Sequence, residues 1–289
     1  MTETVVVIGA GLMGSGIAAQ AALAGHDVVL EDLTAELVDR GLGRARRALQ
    51  HAQERQEIDA GRASGAVGRI RTAVGLGAAR GAGWVLEAAP EDLALKRRLF
   101  GELETLAGPE AVLASNTSSL PIGSIGEGLH DPGRLVGLHF FNPVLQMPLV
   151  ELIPGRATRP EVVERAQRFA TGLGKTVVRS ADTPGFVTSR ALAVLVNEAA
   201  RMLEAGVASR DDLDAAYRLG FHHPMGPLEL VDLVGIDTAV AILDVLYDGL
   251  KDERYRAAPL LRAMVARGTL GRKSGEGFYV YPPKERQRP

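Results

Sequence analysis

The chain of 289 residues is 46% apolar and 24% charged, with 35 acidic against 33 basic side chains and a net charge of −2. That balance excludes a disordered chain and argues against a nucleic-acid partner, which requires a strongly basic face. With no cysteine there can be no disulfide framework, thiol nucleophile or thiolate metal site.

The length suits two domains with separate cores. No apolar run approaches the roughly 18 residues of a membrane span, and no basic and apolar leader precedes the first strand, so a cytoplasmic protein without a membrane partner is expected. "TVVVI" at 4–8 is short, continuous and β-branched, as in a strand buried on both faces of a parallel sheet. "GAGLMGSG" follows, then a helix from about Met13 to Leu23, then a second strand, "HDVVLED", closing on two acids. A helical, Arg-rich arm spans about 35–61. Further strands are predicted at 83–89, 111–116, 134–141, 147–153 and 175–180, with a helix from about Leu93. Alternation of this kind implies an α/β, doubly wound parallel sheet. After "DTPGF" (182–186) the strands stop, and "VTSRALAVLVNEAARMLEAG", "SRDDLDAAYRLG" and "GIDTAVAILDVLYDGL" read as helices. The boundary falls near 184, giving domains 1–184 and 185–289, with Pro184 and Gly185 as a hinge.

Gly9-x-Gly11-x-x-Gly14 follows a strand and opens a helix. The first glycine permits the tight turn, the second lets backbone approach a pyrophosphate, and the third allows close helix packing; the helix N-terminus, from Leu12 and Met13 on, supplies amide donors. Asp32 stands eighteen residues past Gly14 at the end of the second strand, the place of a carboxylate that binds ribose hydroxyls. A carboxylate there repels a 2′-phosphate, so NAD is favoured over NADP; FAD stays formally open, and a turn serving packing alone is the bland alternative.

"VGLHFFNPVLQMPLVEL" (136–152) places His139 near the C-terminal end of an apolar strand, where open α/β sheets form their ligand crevice. The next strand can bring Glu151 beside it. A carboxylate on one ring nitrogen fixes the tautomer and raises basicity, leaving the other nitrogen to exchange a proton with a substrate hydroxyl. On pattern alone a satisfied core histidine is the favoured reading.

The stretches "VIGAGLMGSGIA", "SNTSSL", "GLHFFNPV", "LVEL", "DTPGF", "HPMGPLELVDLVGIDT" and "GRKSGEGFYVY" run almost end to end. In them the chain resembles the short-chain L-3-hydroxyacyl-CoA dehydrogenase family, in particular its bacterial 3-hydroxybutyryl-CoA dehydrogenase branch. The resemblance implies a Rossmann domain, a helical domain that binds substrate and forms a homodimer, and NAD-dependent oxidation of an L-3-hydroxyacyl thioester with no metal. It implies catalytic roles for His139 and Glu151, and a hydroxyl between cofactor and substrate at Ser118. Cofactor contacts carry over to Asp32, Glu91, Lys96, Ser118, Asn142 and Lys273, and a CoA contact to Arg55. Each has a plainer alternative. Ser118 and Asn116 suit a turn, Glu91 and Lys96 a solvated helix face, Asn142 a turn before Pro143, and Lys273 a surface charge. His222 and His223 read as loop residues. Arg44, Arg47 or Arg55 could meet CoA phosphates from the arm, against an exposed basic face.

Two positions depart from the family pattern. Ala48 replaces a serine of the CoA grip. Ser189 replaces an asparagine near the substrate's reacting oxygens; serine is shorter and lacks an amide's geometry, so substrate placement changes, a water fills the gap, or the preferred thioester is unusual. These departures keep one rival enzyme reading open, a dehydrogenase of a carrier-protein-bound or free hydroxy acid; outside enzymes the rival is a protein that retains the cofactor fold without turnover, and the intact His139, Glu151 and Ser118 set speaks against it.

Overall fold

A computed structural model describes residues 3–282; residues 1, 2 and 283–289, the outermost parts of the two expected domains, lie outside the described residues. The chain divides into two compact units, Met1–Thr183 and Pro184–Pro289.

The first unit is an eight-stranded sheet ordered β3-β2-β1-β4-β5-β6-β7-β8. Its strands are β1 (Thr4–Ile8), β2 (Asp27–Asp32), β3 (Ile70–Val74), β4 (Trp84–Glu87), β5 (Val112–Ser115), β6 (Leu135–Phe140), β7 (Leu149–Pro154) and β8 (Thr176–Arg179). The order 3-2-1-4-5-6 is that of a dinucleotide-binding sheet, with its crevice where the order reverses, between β1 and β4. Helices α1 (Leu12–Leu23), α2 (Ala35–Glu54), α3 (Ala60–Gly68), α4 (Leu93–Leu106), α5 (Ile122–Ile125) and α6 (Pro160–Gly172) connect the strands. Wholly buried runs such as Val5–Val7 in β1 and Trp84–Leu86 in β4 supply the core, as both faces of the sheet are covered.

Three features depart from expectation. β3 was not predicted: "IRTAV" sits at the sheet edge and is mostly exposed, so it carries no continuous apolar run. The arm is not one helix. α2 ends at Glu54, Gln56 takes a left-handed φ of 59°, and Asp59 caps a separate α3 by accepting from the amide of Arg62. The sheet is also not wholly parallel, because β7 runs antiparallel to β6. The link from 141 to 148 is too short for the crossover that a parallel partner needs.

The second unit holds α7 (Thr188–Glu204), α8 (Arg210–Phe221), α9 (Pro227–Val234), α10 (Ile236–Leu250) and α11 (Pro259–Arg267). Val196, Val231, Leu243, Leu246 and Leu261 form its core. Two buried carboxylates fasten the segment after α11. Asp232 accepts from the amides of Phe278 and Tyr279, and Asp214 from the Tyr279 hydroxyl. Among the described residues no helix is long and apolar enough to cross a membrane, and no cluster of three or more His, Cys, Asp or Glu could hold a metal.

Candidate active site

In a parallel sheet the strand C-termini share one edge, and here that edge gathers most of the residues singled out above. Gly9 follows β1 with φ +98°, and a Cβ on it would lie 2.7 Å from the carbonyl oxygen of Ala88, just past β4. A Cβ on Gly14 would overlap the carbonyl of Gly9. Gly11 differs: it begins α1 without a side-chain cap, and a Cβ there would meet nothing within 4 Å. The helix therefore presents first-turn amides with no side-chain cap among the described residues, beside open space, with Leu12 exposed, which suits a pyrophosphate. Asp32 closes β2 beside this turn. Its Oδ2 accepts from the amide of Ala10 at 2.7 Å and its Oδ1 from that of Leu33 at 2.7 Å, and the remaining lone pairs suit ribose hydroxyls. The glycine turn and Asp32 together fit a dinucleotide.

Past β4 and β5 lies a network built on buried charge. Lys96, only 1% exposed, donates to Glu87 at 2.6 Å and lies 3.4 Å from Glu91. Glu87 also accepts from the Ser115 hydroxyl at 2.6 Å. One oxygen of Glu91 accepts from the Thr117 hydroxyl and from the amides of Ser118 and Ser119, at 2.6, 2.9 and 3.1 Å. Burial acts to raise the Glu91 carboxyl, but the Lys96 charge and these donors outweigh it and hold it below the usual carboxylate range. Lys96 and Glu91 thus shape the loop that carries Ser118, and Lys96 is no part of a solvated face. Glu87, Thr117 and Ser119 went unnoticed in the sequence. The signal was Glu87 itself, an acid inside a buried strand that requires a partner.

Antiparallel pairing sets His139 opposite Glu151 in register. Directly opposed residues point to the same side of a sheet, and Nδ1 of the imidazole lies 2.7 Å from Oε2 of the carboxylate. His139 is 7% exposed and Glu151 0%. An ionised carboxylate only accepts, so the Nδ1 proton bridges the pair. Asn116, after β5, accepts from the amide of Phe140 at 2.9 Å and joins the Ser118 loop to this strand end. Phe141 packs its ring 4.3 Å from the imidazole, and Asn142 is exposed just beyond. The loop to β7 is held from below by Lys175, 7% exposed, whose Nζ donates to the carbonyls of Val144 and Met147. Burial pulls its ammonium down to about 8.

Arg44 and Arg55 of the arm have partners within the protein. Arg55 makes a two-pronged pair with Glu57 at 2.7 and 3.0 Å, and Ala48 is half-buried. Arg44 reaches the glycine turn, its Nη1 donating to the Ala10 carbonyl at 3.2 Å.

Ser189 and Lys273 belong to the second unit. Ser189, 7% exposed in the first turn of α7, lines a niche of about 10 Å³ with Leu192, Val196, Val231 and Ile242. The other residues lining the niche are apolar. Lys273 pairs with Asp237 at 2.6 Å, at the start of α10. His222 caps α8 with a left-handed φ of 57°, and the His223 ring lies 5.9 Å from that of Phe221.

Residues 4–183 match the family model described as 3-hydroxyacyl-CoA dehydrogenase, NAD binding domain, and residues 185–281 match the 3-hydroxyacyl-CoA dehydrogenase C-terminal domain. A probable 3-hydroxybutyryl-CoA dehydrogenase of Deinococcus radiodurans is 44% identical over 275 residues, 95% of this chain and 99% of that protein. Among solved structures, FadB2 of M. tuberculosis shares 42% identity at a TM-score of 0.94, covering 97% of this chain and 99% of that one. The (S)-3-hydroxybutyryl-CoA dehydrogenase PaaH1 of Ralstonia eutropha shares 37% at a TM-score of 0.92, covering 98% and 100%.

Proposed function

Because the chain belongs to the 3-hydroxyacyl-CoA dehydrogenase family, we propose that it reversibly oxidises a short-chain L-3-hydroxyacyl-CoA, such as 3-hydroxybutyryl-CoA, to the 3-ketoacyl thioester. The observation that carries this reading is the buried His139–Glu151 pair at 2.7 Å, on the sheet edge that also bears the glycine turn and Asp32.

NAD, when bound, supplies the acceptor for the hydride. The protein's own part is proton transfer and placement. Nε2 of His139 takes the proton of the substrate hydroxyl, and Glu151, across Nδ1, stabilises the imidazolium that forms. Ser118, on a loop held by Glu91, orients the hydroxyl or the thioester. Gly9, Gly11, Leu12, Met13, Gly14 and Asp32 hold the cofactor, with Glu91, Lys96, Asn142 and Lys273 supporting it; the burial of Lys96 supports an indirect task, fixing Glu91. Arg55 faces CoA and Ser189 the reacting end of the substrate. A homodimer forms through the second domain, a reading supported by the exposed Leu219, Phe221 and Leu233 and checked by sedimentation velocity.

Acetoacetyl-CoA with NADH in an absorbance assay tests the activity. His139→Ala should abolish turnover while leaving NADH affinity nearly intact; substantial residual activity would overturn the assignment. The Ala48 and Ser189 departures favour one second reading, a carrier-protein-bound or free hydroxy acid as substrate. Kinetics with the three substrate forms separate the two.

A further inference from the structure

The proposed chemistry leaves the guanidinium of Arg44 without a task, although α2 is built to deliver it. At Gly41 a Cβ would lie 2.8 Å from the carbonyl oxygen of Ala10, so the absence of a side chain lets α2 rest directly on the glycine turn. One helical turn on, Arg44 reaches the same carbonyl with Nη1 at 3.2 Å. The opposite side of that residue is held by Asp32, whose Oδ2 accepts from the Ala10 amide at 2.7 Å. Ala10 thus lies between an acceptor suited to ribose hydroxyls and a cation with most of its five donors unspent on it. The half-buried side chain spends its one hydrogen bond among the described residues on a neutral carbonyl, and it stands beside the uncapped N-terminus of α1. The helix end and the guanidinium both call for an anion.

We propose that Arg44 is a cofactor-binding residue that contacts a phosphate of the dinucleotide from α2. This rests on the NAD-dependent reading above. The arm then serves the cofactor with Arg44, whatever its later residues do for CoA. Two phosphates present the same chemistry to a guanidinium: the pyrophosphate common to NAD and NADP, and the 2′-phosphate of NADP alone.

The test uses the full-length protein and fluorescence titration of NADH and NADPH, with ADP-ribose and adenosine as competitors. Arg44→Gln should weaken NADH and ADP-ribose about tenfold or more, as loss of a charge-assisted bond implies. Adenosine, which carries no phosphate, should change less than about twofold. Arg44→Lys should recover part of the loss, and added salt should weaken the wild type more than the glutamine variant. Equal losses for NADH and NADPH support the pyrophosphate as the contact, and a larger loss for NADPH supports the 2′-phosphate. Unchanged affinity for both NADH and NADPH in Arg44→Gln overturns the proposal. So does an equal loss of adenosine and ADP-ribose, since Arg44 would then only hold the turn in shape. If the wild type itself fails to bind NADH, the cofactor reading falls first, and that result is distinct from the others.

Discussion

Replacing Glu151 with glutamine separates charge from geometry at the catalytic pair. The amide keeps the size of the side chain and a carbonyl that can accept from Nδ1–H, but it cannot stabilise an imidazolium by charge. Nδ1 and Oε2 stand 2.7 Å apart, which puts the two delocalised charge centres about 4 Å apart; at an effective dielectric of about 20 their attraction is roughly 4 kcal/mol. That interaction exists only once His139 has taken the substrate's proton, so its loss falls on the transition state. The expected result is a fall in kcat of about a thousandfold, with KM and NADH affinity little changed. Thermal stability should hold, because a neutral side chain is easier to bury than a carboxylate. The assay is NADH formation from 3-hydroxybutyryl-CoA under saturating substrate, with melting curves on the same samples. The double variant with His139→Ala should be no slower than His139→Ala alone, as residues acting as one unit are not additive. A glutamine variant that folds normally and keeps kcat within about tenfold of wild type would refute the claim that Glu151 acts through the imidazolium.

The two inner glycines should respond in opposite ways. Gly11→Ala meets open space in the protein, so its melting temperature should match wild type while NADH affinity drops; Gly14→Ala collides with the Gly9 carbonyl and should lower the melting temperature itself. The burial of Lys175 gives a pH signature. Its folded value of about 8 lies below its ordinary 10.5, so between those values the unfolded chain holds more protons and stability rises with pH. Below about 8 both states are protonated, and the cost of burying the charge is fully present. Urea unfolding of wild type minus Lys175→Met should therefore rise by roughly 1–2 kcal/mol between about pH 7.5 and 9.5, and a flat difference would show that the ammonium is not destabilised by burial. Ser189→Asn should change turnover, since the longer amide cannot keep the serine's place beside an apolar niche of about 10 Å³; identical kinetics on every acyl thioester tried would remove this position from the site.

Legibility followed whether a requirement is local. The glycine turn could be read because its spacing is confined to six residues at the passage from a strand to a helix, and Asp32 because a strand end places it. His139 could be located near a strand terminus. Its exact opposition to Glu151 could not, since it follows from the antiparallel register of β7, which a short link implies only once the two strands are known to pair. β3 escaped notice because an edge strand with one buried position has no apolar pattern to display. The helical arm read as continuous because its break rests on two residues, the left-handed Gln56 and the capping Asp59, and neither is a glycine or a proline.

Charged residues show the same division more sharply. Lys96 and Arg44 both sit on helices with polar neighbours, and from the chain alone each passes for a solvated charge. What separates them from true surface residues lies elsewhere in the sequence. For Lys96 it is Glu87, a carboxylate within a wholly buried strand, whose desolvation would be prohibitive without a cation beside it. For Arg44 it is Gly41, whose missing side chain sets how closely α2 approaches the turn. In each case the informative residue is the one that breaks its own local rule, an acid in a core strand or a glycine inside a helix, where each costs stability. Reading such violations first, and asking which partner each would need, would have found the Glu87–Lys96 pair directly and would have turned Arg44 from the substrate toward the glycine turn.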